Sequence, residues 1–393
     1  LTEAKETLKT KSIEAKDFLR NMFVKIEPVS KWSYSVLEDY APRAIMGMSD
    51  RLQVVLGPWS HAASKRTRSI FSVDSPILYA VGHTSEEIGR WFGEWLELFG
   101  GENVAQLLEA DASRFDAHLQ RPAFEARAEI LKLMNAPKKY RQVYLQKIAK
   151  KGFSRHGIFF RRDGSRASGD SDTSWDNTML NADFWLHMMN ELGYRPGRHF
   201  AFAVAGDDFV MIMHPDIPIL GVLKQIGVES LLSGQVWKLK PVVPLCNVTF
   251  LSALFLPTED PSQPFVLVPK PGRILSRTGW SKQVRTNPRQ HARGIALGLE
   301  KTASGVPILG ALIESYIRLT EGVEAEAIGN HFSVRSSRKH VFGIAATVQL
   351  LDRYCLSLGS LHKLEKELRA IKSLPALLNS PIADRIVEVD LAG

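Results

Sequence analysis

Apolar residues recur three and four apart through TSEEIGRWFGEWLELF, residues 84–99, and predict a helix that Gly100-Gly101 ends. The same spacing, carried by Met179, Leu180, Trp185, Met188 and Met189, predicts a helix from Thr173 to Leu192. Helical text also fills residues 1 to about 24, 122–151 with a break around Pro137, a stretch near 217–232 and most of the last hundred residues. There SLHKLEKELRAIKSL reads as an amphipathic helix packed on its own domain. Shorter apolar runs read as strands: VAQLLEAD, the two arms flanking Gly206, and VTFLSALFLP. KKGFSRHGIFFRRDGSR, residues 150–166, reads as a hairpin turning at Asp163-Gly164. Residues 25–60 read as irregular, with Pro28, Pro42 and Pro58 as breakers. No internal repeat or low-complexity tract is visible.

At 393 residues, 45% hydrophobic and 23% charged, this is the composition of a globular chain with room for two or three domains. The net charge of +8 favours a polyanionic partner, either nucleic acid or an anionic membrane surface. Cys246 and Cys355, the two cysteines, are too few for a disulfide scaffold or a cysteine zinc site and suit a reducing compartment. No apolar run approaches the roughly 18 residues that span a bilayer, and no signal segment opens the chain. The Asn247-Val248-Thr249 sequon is read as chance. Helical text begins at once from Leu1, so a longer product with upstream elements is expected.

Candidate chemistry lies in three acidic stretches. AVAGDDFVMI sets Asp207 and Asp208 after a glycine between apolar arms, the pattern of a hairpin turn. DASRFDAH places Asp111 at the end of a predicted strand and Asp116 beyond a turn. Carboxylates converging from neighbouring strands are suited to magnesium, which takes oxygen ligands and lets substrate phosphates complete its shell. Between them, SGDSDTSWDN sets Thr173 and Asn177 on one face of a helix. Beside Asp116, Asn177 offers an amide for a hydrogen-bonded pair able to test a ribose 2′-hydroxyl.

Taken in order, DASRFDAH, SGD-x2-T-x3-N and GDD resemble motifs A, B and C of the RNA-dependent RNA polymerases of positive-strand RNA viruses, most of all tombusvirus-like and nodavirus-like enzymes. FVKIEP around Lys25 and APRAI around Arg43 resemble motif F, and WKLKP, with Lys238 and Lys240, sits where motif D would. FLSALFLP resembles motif E, and LVPKPGRILSRTGWS is similar to the segment just after it. The resemblance runs from about residue 22 to 282, and the first fingers residues expected before motif F are not matched.

The resemblance implies an α+β right hand. Fingers would occupy residues 1–103, with the motif F-like region at 22–60. An antiparallel-sheet palm would occupy 104–258, with a basic fingers insertion near 130–166, and a helical thumb 259–393. It implies template-directed RNA synthesis from NTPs. Asp111 and Asp207 would bridge two Mg²⁺ ions, or Mn²⁺, with Asp208 as auxiliary ligand. Lys25 and Arg43 would hold the triphosphate, and Asp116, Ser168, Gly169, Thr173 and Asn177 would receive ribose and base. Lys238 would protonate departing pyrophosphate, with Lys240 the alternative. Lys151, Arg155, Arg161 and Arg162, and beyond them Lys270, Arg273 and Arg277 with Trp280, would line the path of template and product RNA.

It further implies replication on host cytoplasmic membranes beside a viral membrane-anchoring replication protein. His118 and His214 lie near the acids without zinc-ligand spacing and are read as structural. Two other readings stay open: a reverse transcriptase or other palm polymerase, and a non-catalytic viral RNA-binding or coat protein. A serine hydrolase does not fit, because GPWSH lacks the second glycine of the nucleophile elbow.

Overall fold

The computed structural model describes residues 1–25, 43–278, 287–326, 336–374, 376 and 378–391. Pro28, Pro42 and Trp280, singled out above, lie outside them. Among the described residues, twelve strands form three sheets, and the chain divides into two compact units.

The first unit comprises the described residues up to Val81, together with Ala110–Pro241. The strands up to Pro241, in chain order, are β1 (Leu19–Val24), β2 (Ala44–Gly47), β3 (Ile77–Tyr79), β4 (Gln106–Ala112, of which Ala110–Ala112 fall in this unit), β5 (Lys150–Ser154), β6 (Phe159–Arg162), β7 (Phe200–Ala205), β8 (Asp208–Met213) and β9 (Trp237–Pro241). A four-stranded sheet has the order β2-β1-β5-β6, and a five-stranded sheet the order β3-β7-β8-β4-β9. In the latter, β3 runs parallel to β7, and β7 pairs antiparallel with β8 from Phe200↔Met213 to Ala205↔Asp208. Every residue of β7 is buried, as is every residue of β8 after Asp208. The Thr173–Glu191 helix packs on this sheet through Trp185, which stacks on Phe209 at 4.2 Å and meets Trp237 edge-on.

Several sequence expectations hold. The Ser85–Leu98 helix starts on Thr84, whose hydroxyl and Glu87 form a capping box. β4 delivers Asp111 near its end, and Pro137 separates the Arg121–Leu133 and Lys138–Gln146 helices.

Others change. The expected first helix stops at Thr10, and Leu19–Val24 is the strand β1, parallel to β5 and antiparallel to β2; pairing on both sides overrides its local helical pattern. The region taken as irregular contains β2 and a helix, Asp50–Ile70, that runs through Pro58. Ser49 caps that helix, Leu52, Leu56 and Ala63 bury one face, and Gly57, lacking a Cβ, escapes the clash a proline imposes on the residue before it. The basic hairpin exists, but its turn is Arg155–Ile158: Ser154 Oγ accepts from the His156 and Ile158 amides, while Asp163 binds Arg121 instead. The expected helical run to 151 ends at Gln146, since Lys150 opens β5. VTFLSALFLP is two strands, bent at Leu251 and Ser252, both at positive φ.

The inner face of the four-stranded sheet carries charge. Arg20 of β1 and Lys147, ahead of β5, hold buried Asp170, and Lys147 also binds both oxygens of buried Asp172 at 2.5 Å. Buried Asp176 accepts from Arg127 at 2.6 Å, from Tyr144 at 2.7 Å and from Arg166. Burial alone raises the Asp170 carboxyl, but Lys147, Arg20 and Arg166 reverse this and hold it below the usual value. Asp176 likewise resists the upward push of burial and is held at about 2 by Arg166 and Arg127.

The second unit comprises Gly82–Glu109 and the described residues from Val242 onward. Strands β10 (Thr249–Phe250), β11 (Ala253–Pro257) and β12 (Phe265–Pro269) form an antiparallel sheet that shares a core with helices Pro288–Ala303, Leu309–Leu319, Ile344–Tyr354 and Leu358–Arg369. Buried Glu86 gathers residues 336–340: it accepts from the Ser336 hydroxyl, the Ser337 amide and His340 Nε2. Burial raises its carboxyl, and those donors overcome it to hold the group at about 2.

Candidate active site

The acidic turn is a two-residue hairpin loop. Ala205 pairs with Asp208, leaving Gly206 and Asp207 at the tip, and Gly206 takes φ +68°, a conformation that glycine adopts without strain. Both backbone groups of Gly206 are bound to the Thr173–Glu191 helix: its amide donates to Thr178 Oγ1 at 2.8 Å, and its carbonyl accepts from Asn181 Nδ2 at 3.0 Å. Asp207 and Asp208 are exposed. Asp111 is exposed too, near the end of β4, which neighbours β8 in the sheet.

After β4 the chain turns through Arg114, at φ +50°, into the short Phe115–His118 helix, with His118 Nδ1 2.7 Å from the Ser113 carbonyl. Asp116 is thereby brought to the helix bearing Asn177, whose Nδ2 donates to its Oδ1 at 2.6 Å. Arg166 Nε donates to Asn177 Oδ1 at 3.1 Å, which orients the amide. Burial raises the Asp116 carboxyl; Asn177 and Arg166 pull it down, and the charges of Asp207 and Asp170 push it further up. By valence, the Asp116–Asn177 pair keeps one carboxylate oxygen and one amide N–H, complementary to a hydroxyl that donates to the first and accepts from the second.

The remaining expected residues fall in several places. Thr173 spends its hydroxyl on the Ala167 carbonyl at 2.7 Å. Ser168 is exposed, and Gly169 bridges to Gly47 of β2, where a Cβ would lie 2.6 Å from the Met46 carbonyl oxygen. Lys25 and Arg43 are exposed, and the Lys25 amide donates to the Arg43 carbonyl, extending the β1–β2 ladder. Lys238 is exposed on β9, the edge strand beside β4. Lys151, Arg155, Arg161 and Arg162 are exposed on or beside β5 and β6. In the second unit Lys270 is buried and Arg273 donates to Ser252 Oγ, so of that trio Arg277 alone lies exposed.

Sequence reasoning passed over Arg166, Thr178 and Asn181, the residues that hold the amide and the turn in place. Thr178 and Asn181 stood out as polar positions on an otherwise apolar helical face. Arg166 was foreshadowed by Asp170, Asp172 and Asp176, which need buried counter-charges once their helix packs.

Among the described residues, no group of three or more His, Cys, Asp or Glu side chains is gathered closely enough to hold a metal ion. Magnesium does not require such a cage, since one or two carboxylates with water and substrate phosphates suffice. Exposed, all-oxygen donors on neighbouring strands fit an ion held in that open manner. No described helix is long and apolar enough to cross a membrane.

Residues 2–224 match a family described as viral RNA dependent RNA polymerase. Relatives include the RNA-directed RNA polymerases of cucumber necrosis virus and of tomato bushy stunt virus (strain Cherry), each 30% identical over 217 residues, 54% of this chain and 25% of the relative. That of carnation mottle virus is 24% identical over 344 residues, 81% of this chain and 41% of the relative. The chain thus matches about a quarter of the length of the first two.

Proposed function

This chain belongs to the viral RNA-dependent RNA polymerase family, and from that premise we propose that it carries the nucleotidyl-transfer centre of a positive-strand RNA virus polymerase, extending RNA on an RNA template. The observation that carries the reading is the Arg166–Asn177–Asp116 relay beside the Asp207 turn, a hydroxyl-reading pair next to exposed carboxylates.

In this reading the five-stranded sheet is the palm, the β2-β1-β5-β6 sheet belongs to the fingers and the helical second unit contains the thumb. Asp111 and Asp207 would hold Mg²⁺, with Asp208 beside them. When bound, the ions supply charge neutralisation for the 3′-oxygen and the phosphates. The 3′-oxygen attacks the α-phosphorus in line, the bond to the β-phosphate oxygen breaks, and pyrophosphate departs. Arg43 and Lys25 offer cations to the triphosphate, and Arg43 can engage it through two parallel hydrogen bonds. Lys238 is the donor assigned to the leaving pyrophosphate. Asp116 and Asn177 receive the ribose 2′-hydroxyl, so ribonucleotides are favoured over deoxyribonucleotides.

Primer extension on an RNA template with Mg²⁺ tests this. Parent protein should incorporate rNTPs in preference to dNTPs, and Asp207→Ala should lower incorporation on the order of 10³-fold while RNA affinity stays within about twofold. Equal or better use of dNTPs would point to a reverse transcriptase. Absence of incorporation by the parent, with upstream residues restored, would point to a non-catalytic RNA-binding protein.

A further inference from the structure

The outward face of the four-stranded sheet is not built as a surface facing only water. Strand alternation and register place Phe23 of β1, Lys151 and Phe153 of β5, and Phe159 and Arg161 of β6 on one side. The three phenylalanines are 47%, 49% and 55% exposed, although the opposite side of the same strands buries Arg20, Lys150 and Gly152. Apolar area left in water is unfavourable in proportion to its extent. Lys151 and Arg161 are register partners, so two cations stand directly opposite each other, an arrangement that repels. Among the described residues neither is in an ion pair, and no strand position on this face is acidic.

Both unfavourable features disappear under one ligand, a polyanion with apolar, planar groups. We propose that this face is a stacking platform for single-stranded RNA, with bases on Phe23, Phe153 and Phe159 and phosphates against Lys151 and Arg161. Phe153 and Phe159 are 5.4 Å apart, ring centre to ring centre. Neighbouring strands lie about 4.8 Å apart, so adjacent rings suit successive bases of a strand stretched beyond close base stacking. Paired bases stack on one another and leave no open face for these rings, which selects the unpaired strand. The inference rests on reading the chain as an RNA polymerase, and it adds aromatic contacts to the basic ones expected from sequence.

The test is fluorescence anisotropy of the full chain without NTP or divalent metal, using an unstructured RNA of about 10 nucleotides and an abasic ribose-phosphate oligomer of the same length. Parent protein should prefer the base-bearing RNA by on the order of tenfold or more. Phe153→Leu with Phe159→Leu, which keeps apolar bulk, should lose on the order of tenfold in RNA affinity, with abasic affinity and salt dependence unchanged. Lys151→Gln with Arg161→Gln should weaken both ligands and flatten the salt slope by about 0.7 per phosphate released. Equal RNA affinity of parent and leucine variant would overturn the platform, and if the leucine variant also altered self-association, the face would be a protein interface instead. Binding is read without turnover, so a chain with no polymerase activity still passes or fails this test on its own terms.

Discussion

The two sheets of the first unit put their side chains to opposite uses. The five-stranded sheet is conventional: β7 and most of β8 are buried apolar residues, with Asp208 at the start of β8 and Asp111 near the end of β4. The four-stranded sheet is nearly inverted, with Arg20 and Lys150 buried on its inner side and three phenylalanines facing out. The difference teaches where each sheet's constraint comes from. The first is held by packing against the Thr173–Glu191 helix. The second is held by ion pairing with the acids at that helix's start, which leaves its outer side open to be shaped by a ligand.

Substitutions can separate these two kinds of support. Phe202→Ala, in the fully buried β7, should cost about 3–5 kcal/mol of stability. Lys147→Met should cost a similar ~3–5 kcal/mol for a different reason, because Asp170 and Asp172 lose a buried partner. Thermal and denaturant unfolding measure both. An effect of Lys147→Met under about 1 kcal/mol would mean that the inverted sheet is not ion-held.

Next in size is selectivity. Asn177→Ala should reduce the rNTP-over-dNTP preference on the order of tenfold, the worth of a well-made hydrogen bond. Arg166→Lys should give a smaller loss in the same preference, and adding it to Asn177→Ala should cost little more, since Arg166 acts through that amide. Additive losses in steady-state competition would show that Arg166 does not act through the Asn177 amide.

Lys150 supplies a pH signature for the inverted sheet. Burial lowers its ammonium to about 7; the charges facing it are Asp170, which raises it, and Arg166, Lys147 and Arg20, which lower it further. Native Lys150 therefore sheds its proton before the unfolded chain does, so between pH 7 and the unfolded value near 10.4 the unfolded state binds more protons and stability rises with pH. Below pH 7 the cost of burying its charge is present in full. Lys150→Met should flatten this rise in a stability-against-pH series. The smallest effect belongs outside: Phe153→Leu should change stability by no more than ~0.5 kcal/mol, whatever it does to RNA binding.

Legibility in the sequence followed the same division. Asp111, Asp207 and the Asn177 helix could be placed because period and turn chemistry are local signals. The inverted sheet could not, because LRNMFV takes its state from two neighbours remote in the chain, and the basic hairpin carries more than one plausible turn. Gly57-Pro58 misled for a related reason, since a breaker rule does not register a helix face with Leu52 and Leu56 to bury. Arg166 is a tertiary fact: nothing near it in sequence shows that Asn177 will need its carbonyl held.

The bonds from Thr178 and Asn181 to Gly206 join two tasks mechanically. In the proposed reading Asn177, on the same helix, would receive the sugar, and Gly206 carries the turn that presents Asp207. Rotating that helix by a fraction of a turn would move both together, as one lever with two working ends. A compound wedged against the lever's base would therefore degrade speed and fidelity in the same stroke, and a resistant variant could not restore one without resetting the other.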